Sequence, residues 1–153
     1  VLIIEGKKLH VNKELLSIHS PVFSAMFFGE FAEKEKEEVE IKDVVYKEFL
    51  DLLNVIHPGY SPVTETSVSH ILKLSDQFQM KGVLTKSENY LKATNKFNFL
   101  DKLILADQYN FVNLTENILV YIHNRVLQSS PEYDNFSDAM KVSICDRMRD
   151  LLA

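Results

Sequence analysis

Five histidines, one cysteine and a dense run of carboxylates are the side chains in this 153-residue chain best equipped for chemistry. The histidines, His10, His19, His57, His70 and His123, share no i, i+4 pair, so only a fold that gathers them would make a metal site. They read as surface or locally hydrogen-bonded residues. Cys145 stands beside Ile144 in an apolar helical pattern and reads as a small buried hydrophobe rather than a reactive thiol. A single cysteine makes neither an intramolecular disulfide nor a Cys-rich zinc site. The carboxylates concentrate in one segment: Glu30, Glu33, Glu35, Glu37, Glu38, Glu40 and Asp43 stand against Lys34, Lys36 and Lys42, a local net charge of −4. Two carboxylates divide acid and base roles only where their environments separate their pKa values. These stand among lysines, so they read either as a solvated loop or as a loop that a basic partner surface recognises. There is no G-x-S-x-G elbow and no phosphate-binding loop, and Gly6, Gly29, Gly59 and Gly82 are too scattered to cradle a phosphate. No catalytic residue, metal site or cofactor is expected. What remains unusual is Phe27-Phe28-Gly29-Glu30-Phe31-Ala32-Glu33. Phe27 fits an inward helical stripe, while Phe28 and Phe31 run into the charged loop, where they either cover the core from outside or form an exposed aromatic anchor ringed by charge.

The elements that must position these residues follow from periodicity. Val1 to Ile4 and Leu9 to Val11 are apolar runs separated by Glu5-Gly6-Lys7-Lys8, a β-hairpin pattern with glycine available for a positive φ. Asn12 caps a short helix through Leu15, Leu16 and Ile18. Ser20-Pro21 then reads as an N-cap with proline in the first turn of a second helix. Val39-Glu40-Ile41 alternates as a strand, and Asp43 stands ahead of the helical pattern Phe49, Leu52, Leu53, Ile56. The stretch from His57 to Pro62, with prolines at both ends of Gly59-Tyr60-Ser61, breaks that helix. Two helical patterns follow, Val68 to Phe78 and Met80 to Leu91, and the polar stretch from Lys92 to Asn98 is the expected boundary. Beyond it the apolar spacing predicts three more helices: Leu100 to Tyr109, Leu114 to Ile122, and one after Ser137 carrying Met140, Ile144, Met148, Leu151 and Leu152. The fold class expected is α+β and mostly helical, with a strand-containing domain over 1–95 and a helical annex over 96–153.

Composition agrees with this. With 46% hydrophobic and 25% charged residues the chain falls among ordinary globular domains, and its size supports a core without disulfides or metals. A net charge of −5 opposes phosphate-backbone binding, so nucleic acid is not an expected partner. No apolar stretch approaches a membrane span, and the sparing use of cysteine fits a reducing compartment, cytoplasmic and/or nuclear. The opening Val1 in place of Met reads as the start of a fragment.

The element order and several sequence words resemble the BTB/POZ domain. The words are Leu15-Leu16-Ser17-Ile18-His19-Ser20-Pro21-Val22-Phe23-Ser24-Ala25-Met26-Phe27, then Val39-Glu40-Ile41-Lys42-Asp43-Val44, then Leu72-Lys73-Leu74-Ser75-Asp76-Gln77-Phe78. The run from Ser20 to Phe27 is similar to that of the MATH–BTB subgroup of the speckle-type POZ kind, and the whole chain resembles the BTB part of nematode-type MATH–BTB proteins. Leu103-Ile104-Leu105-Ala106-Asp107-Gln108-Tyr109 is similar to the helical extension that follows BTB domains in cullin adaptors, of the 3-box or BACK kind. The resemblance implies a BTB/POZ fold, a small three-stranded sheet flanked by helices, over 1–95 with the extension over 96–153. It implies a non-enzymatic adaptor that binds the N-terminal region of cullin-3 and serves a ubiquitin ligase, while another domain, absent from this chain, captures substrate proteins. Phe31-Ala32-Glu33 occupies the place of the family's hydrophobic-x-Glu motif, and His57 and Tyr60 fall at a second cullin-contacting region. Leu15 matches a homodimer position. The chain departs from the pattern in lacking the N-terminal dimerisation segment and the aspartate before the first strand, and in having Asn12 where histidine is common, which predicts a weakened homodimer. The alternative function is a homodimeric scaffold or transcription-linked interaction module that binds no cullin.

Overall fold

The computed structural model describes residues 1–29, 37–57, 59, 61–119 and 134–152. The chain divides into two compact units, Val1–Ser87 and Glu88–Ala153. Three strands and eight helices are present among the described residues, so the fold is α+β and mostly helical, as the sequence predicts.

In the first unit β1 (Leu2–Ile4) is the central strand of a three-stranded sheet. It pairs antiparallel with β2 (Lys7–Leu9), Leu2 opposite Leu9, and parallel with β3 (Val39–Ile41), Leu2 opposite Val39. The hairpin turn is shorter than the sequence reading: Glu5 and Gly6 alone make it, at φ of 50° and 72°, and Lys7 and Lys8 belong to β2. Two consecutive positive φ values are what a two-residue hairpin needs to follow the strand twist. The lysines then face solvent on an edge strand, a placement that discourages further pairing. Leu2 and Ile4 are buried, as are Val39 and Ile41, the period of two expected of a sheet with one covered face.

Helices α1 (Lys13–His19) and α2 (Pro21–Phe28) form the crossover between the parallel strands. Asn12 Oδ1 accepts the Leu15 N–H at 2.8 Å, and Ser20 Oγ accepts that of Phe23 at 3.1 Å, with Pro21 in the first turn. Ser20 also donates to the Phe78 carbonyl at 2.6 Å, which ties the start of α2 to the end of α4 (Val68–Gln77). The core is aromatic. The Phe23 ring lies 4.6 Å from that of Phe78, 5.6 Å from Phe27 and 6.1 Å from Phe49, centroid to centroid, in stacked and edge arrangements.

Helix α3 (Tyr46–Ile56) starts without a local side-chain cap. Asp43 adopts φ of 59°, and the Tyr46 N–H is accepted instead by Glu5 Oε2 at 3.0 Å, from the hairpin turn. Gln79, at φ of 53°, turns the chain between α4 and α5 (Lys81–Ala93).

The second unit begins within α5 and holds α6 (Phe99–Gln108), α7 (Val112–Leu119) and α8 (Asp138–Leu152). Leu91, Leu103, Ala106, Leu114, Ile118, Phe136, Met140 and Ile144 are buried in it. Asn98 Oδ1 caps α6 through the Asp101 N–H at 2.8 Å. Ser137 Oγ accepts the Met140 N–H at 3.2 Å and so starts α8, as its sequence signal predicts. Cys145 is exposed, against the expectation of burial. Met140 and Ile144, four residues apart, occupy the covered face, and the next residue is rotated about 100° away from it. Tyr121 and Ile122 lie outside the described residues, as do the side chains of Met148, Leu151 and Leu152.

Candidate functional site: an interaction surface

Two parts of the first unit carry sequence-predicted contact residues. The first is α1 and the end of α2. Leu16 is turned into the core, which leaves Ile18 79% exposed and Leu15 half-buried on the outer side of a seven-residue helix. Ile18 is the most exposed large apolar side chain among the described residues. At the end of α2, Phe27 is buried while Phe28, the next residue, is 51% exposed, with the two rings at an interplanar angle of 82°. Lys13 Nζ sits over the Phe27 ring, 5.5 Å from its centroid. The Gly29 N–H closes α2 on the Ala25 carbonyl at 2.9 Å. Phe31, Ala32 and Glu33 lie outside the described residues.

The second part is the break after α3. His57 is exposed and ends the helix in an extended conformation, its N–H on the Leu53 carbonyl at 2.9 Å. The chain beyond is drawn back, with the Ser61 N–H on the Asn54 carbonyl at 3.2 Å. Lys86 Nζ, from α5, donates to the Val55 carbonyl at 3.2 Å. His19, at the end of α1, has its pKa lowered from the usual 6.5, first by burial and then by the positive charge of Lys86. Tyr60 lies outside the described residues.

A groove of about 500 Å³ that the sequence does not announce lies along the outer side of α3, lined by Val45, Asp51, Pro62, Thr64, Ser67 and His70 among others. His70 Nε2 lies 3.0 Å from Asp51 Oδ2. A histidine oriented by a carboxylate is half of a nucleophile-activating arrangement, and these two atoms approach without the geometry of a hydrogen bond. The nearby Ser67 hydroxyl, however, is engaged with Thr64, accepting its N–H at 2.9 Å and pairing with its hydroxyl at 2.9 Å. Among the described residues no three His, Cys, Asp or Glu side chains cluster as a metal site would require, and no helix is long and apolar enough to cross a membrane.

A small mixed sheet whose parallel strands are bridged by two short capped helices, followed by further helices, is the α+β architecture that sets the class of this domain. Residues 1–95 match the BTB/POZ domain family, and the chain belongs to it. It is 37% identical over 151 residues to BTB and MATH domain-containing protein 38 of Caenorhabditis elegans, covering 96% of this chain and 39% of that protein. It is 45% identical over 114 residues to BTB and MATH domain-containing protein 36 of the same organism, covering 74% of this chain and 36% of the relative. Kelch repeat and BTB domain-containing protein 1 of vaccinia virus is 30% identical over 132 residues, 80% of this chain and 23% of the viral protein. The chain therefore spans well under half the length of these three relatives.

Proposed function

We propose that this chain is the cullin-3-binding BTB module of a substrate-recruiting adaptor for a ubiquitin ligase, non-enzymatic itself. In this reading Phe31, Ala32 and Glu33 form the main contact with the N-terminal region of the cullin, His57 and Tyr60 add a second, and the helical extension over 96–153 widens the receiving surface. Leu15 lies at a homodimer interface on α1, and a further domain of the polypeptide captures substrate. The observation that carries the reading is the exposed Phe28 at the end of a helix whose preceding residues, Phe23 and Phe27, are locked in the aromatic core. The packed Phe23 and Phe27 fix the end of α2, and the sequence that follows supplies an apolar residue, Phe31, and a carboxylate, Glu33, for a partner to recognise. The relatives support a two-part polypeptide, since their names pair BTB with MATH or kelch domains.

Calorimetric titration of the chain with the cullin-3 N-terminal region tests this. Submicromolar binding that weakens more than tenfold, about 1.4 kcal/mol, in Phe31→Ala or Glu33→Lys supports it. A folded chain that releases no heat rejects it and leaves the self-associating scaffold, which the exposed Ile18 favours; sedimentation of the chain against Leu15→Asp then reads the dimer directly.

A further inference from the structure

We infer that Lys86 is a positioning residue for the chain break after α3: its ammonium, lodged on the Val55 carbonyl, holds His57 and Ser61 in the geometry that a partner surface meets. The reason lies in the accounting of the last carbonyls of α3. A helix end leaves its final carbonyls without i+4 partners. The Leu53 carbonyl is taken by the His57 N–H, the last regular bond. The Asn54 carbonyl would next take the N–H of residue 58, but that residue is Pro58 and has none. The Ser61 N–H fills the place at 3.2 Å and thereby folds the chain back on the helix. The Val55 carbonyl would take the Gly59 N–H, which is instead directed at His57 Nδ1, 3.5 Å away. Lys86 supplies the missing donor from 31 residues further along the chain.

A cation suits this position, because the carbonyl end of a helix carries partial negative charge. The surroundings reinforce the assignment. His19 stands close enough to the Lys86 charge to have its own protonation opposed by it. Proline and glycine, which let the chain leave the helix at His57, are also what leave the carbonyl for Lys86 to hold.

The link to binding rests on the cullin reading of His57 and Tyr60, and the test separates the two. Lys86→Met and Lys86→Arg are compared in the full 153-residue chain. Amide exchange at Ser61 and His57 is followed by NMR with Phe23 as remote reference, alongside calorimetry against the cullin-3 N-terminal region. Lys86→Met is expected to speed exchange at Ser61 at least tenfold with Phe23 unchanged, to raise the His19 pKa, and to weaken cullin binding about tenfold. Lys86→Arg, which keeps charge and donors, restores all three. Unchanged Ser61 exchange in Lys86→Met overturns the positioning role, whatever cullin does. Faster exchange with unchanged cullin affinity overturns its relevance to binding. If the unsubstituted chain binds no cullin, the adaptor reading falls while the exchange result still decides how the turn is held. Should Lys86→Met fail to fold, Lys86→Leu, which likewise has neither charge nor donor, takes its place with the same expected directions.

Discussion

The two units solve the problem of starting a helix differently. In Val1–Ser87, α1 and α2 are capped by the residue just before them, Asn12 and Ser20, and stability is concentrated in four phenylalanines that touch one another. In Glu88–Ala153, α6 and α8 also have local caps, Asn98 and Ser137, but α7 and the cap residue of α8 are held in addition by carboxylates of other helices. Glu88 Oε1 on α5 accepts the Leu114 N–H at 3.0 Å, with Lys92 Nζ 3.1 Å from the same carboxylate, and Asp107 at the end of α6 accepts the Ser137 N–H at 2.8 Å. In the first unit α3 and α4 start without a side-chain bond from their own cap residue, and α3 is reached instead by Glu5 from the hairpin. A local cap specifies where a helix begins; a distant cap also specifies which helix it packs beside. The first unit is therefore expected to respond most to apolar volume lost around Phe23, and the second to respond also to loss of the carboxylate contacts of Glu88 and Asp107.

Phe23→Ala breaks this contrast or confirms it most sharply. The side chain is fully buried and touches three other rings, so its removal is expected to cost about 3–5 kcal/mol in urea-induced unfolding. A loss below about 1 kcal/mol would mean that the aromatic cluster is not where the first unit keeps its stability. Glu88→Ala is the counterpart in the second unit. It leaves the Leu114 N–H without its acceptor and Lys92 without its partner in a buried setting, which is expected to cost about 1–3 kcal/mol. Glu88→Gln keeps an acceptor while removing the charge, so the difference between the two substitutions isolates the ionic part.

That difference also marks what the sequence could reveal. Asn12, Ser20-Pro21 and Ser137 are local signals, and each caps the helix it precedes. Glu88 and Asp107 look like ordinary residues of amphipathic helices, because their partners stand 26 and 30 residues away and no spacing rule reaches that far. Asp43 misleads for the same reason: it lies close ahead of α3, but Glu5, 41 residues from Tyr46, does the capping. At the candidate surface, a family word singles out Leu15 as a candidate, and the proline–glycine break after α3 singles out His57. The groove along α3 and the Lys86 contact were not, since both arise only where separate elements meet.

Ser137→Ala and Asn12→Ala compare the two kinds of cap at smaller scale. Each removes a side-chain acceptor from a helix start, worth about 1 kcal/mol. Ser137 also donates its hydroxyl to Asp107, so its loss is expected to exceed that of Asn12 in parallel thermal melts. Equal losses would reduce the Asp107 contact to a surface decoration.

The smallest effect is a pH dependence confined to the first unit. His19 has a folded-state pKa below its ordinary 6.5, because burial and the Lys86 charge disfavour the imidazolium. Below 6.5 the unfolded chain therefore binds more protons than the folded one, and stability rises with pH across that window. The penalty is absent well above 6.5, grows as the pH falls, and becomes constant once the pH is below the lowered value. His19→Gln, which carries no titratable group, is expected to flatten this portion of the stability curve and leave the remainder in place. Lys86→Met removes the smaller of the two causes and is expected to narrow the window from its acid side, because the folded-state pKa moves back toward 6.5. If His19→Gln leaves the slope between pH 5 and 7 untouched, the sensitivity belongs to other groups, and the first unit's dependence on apolar volume alone is the stronger for it.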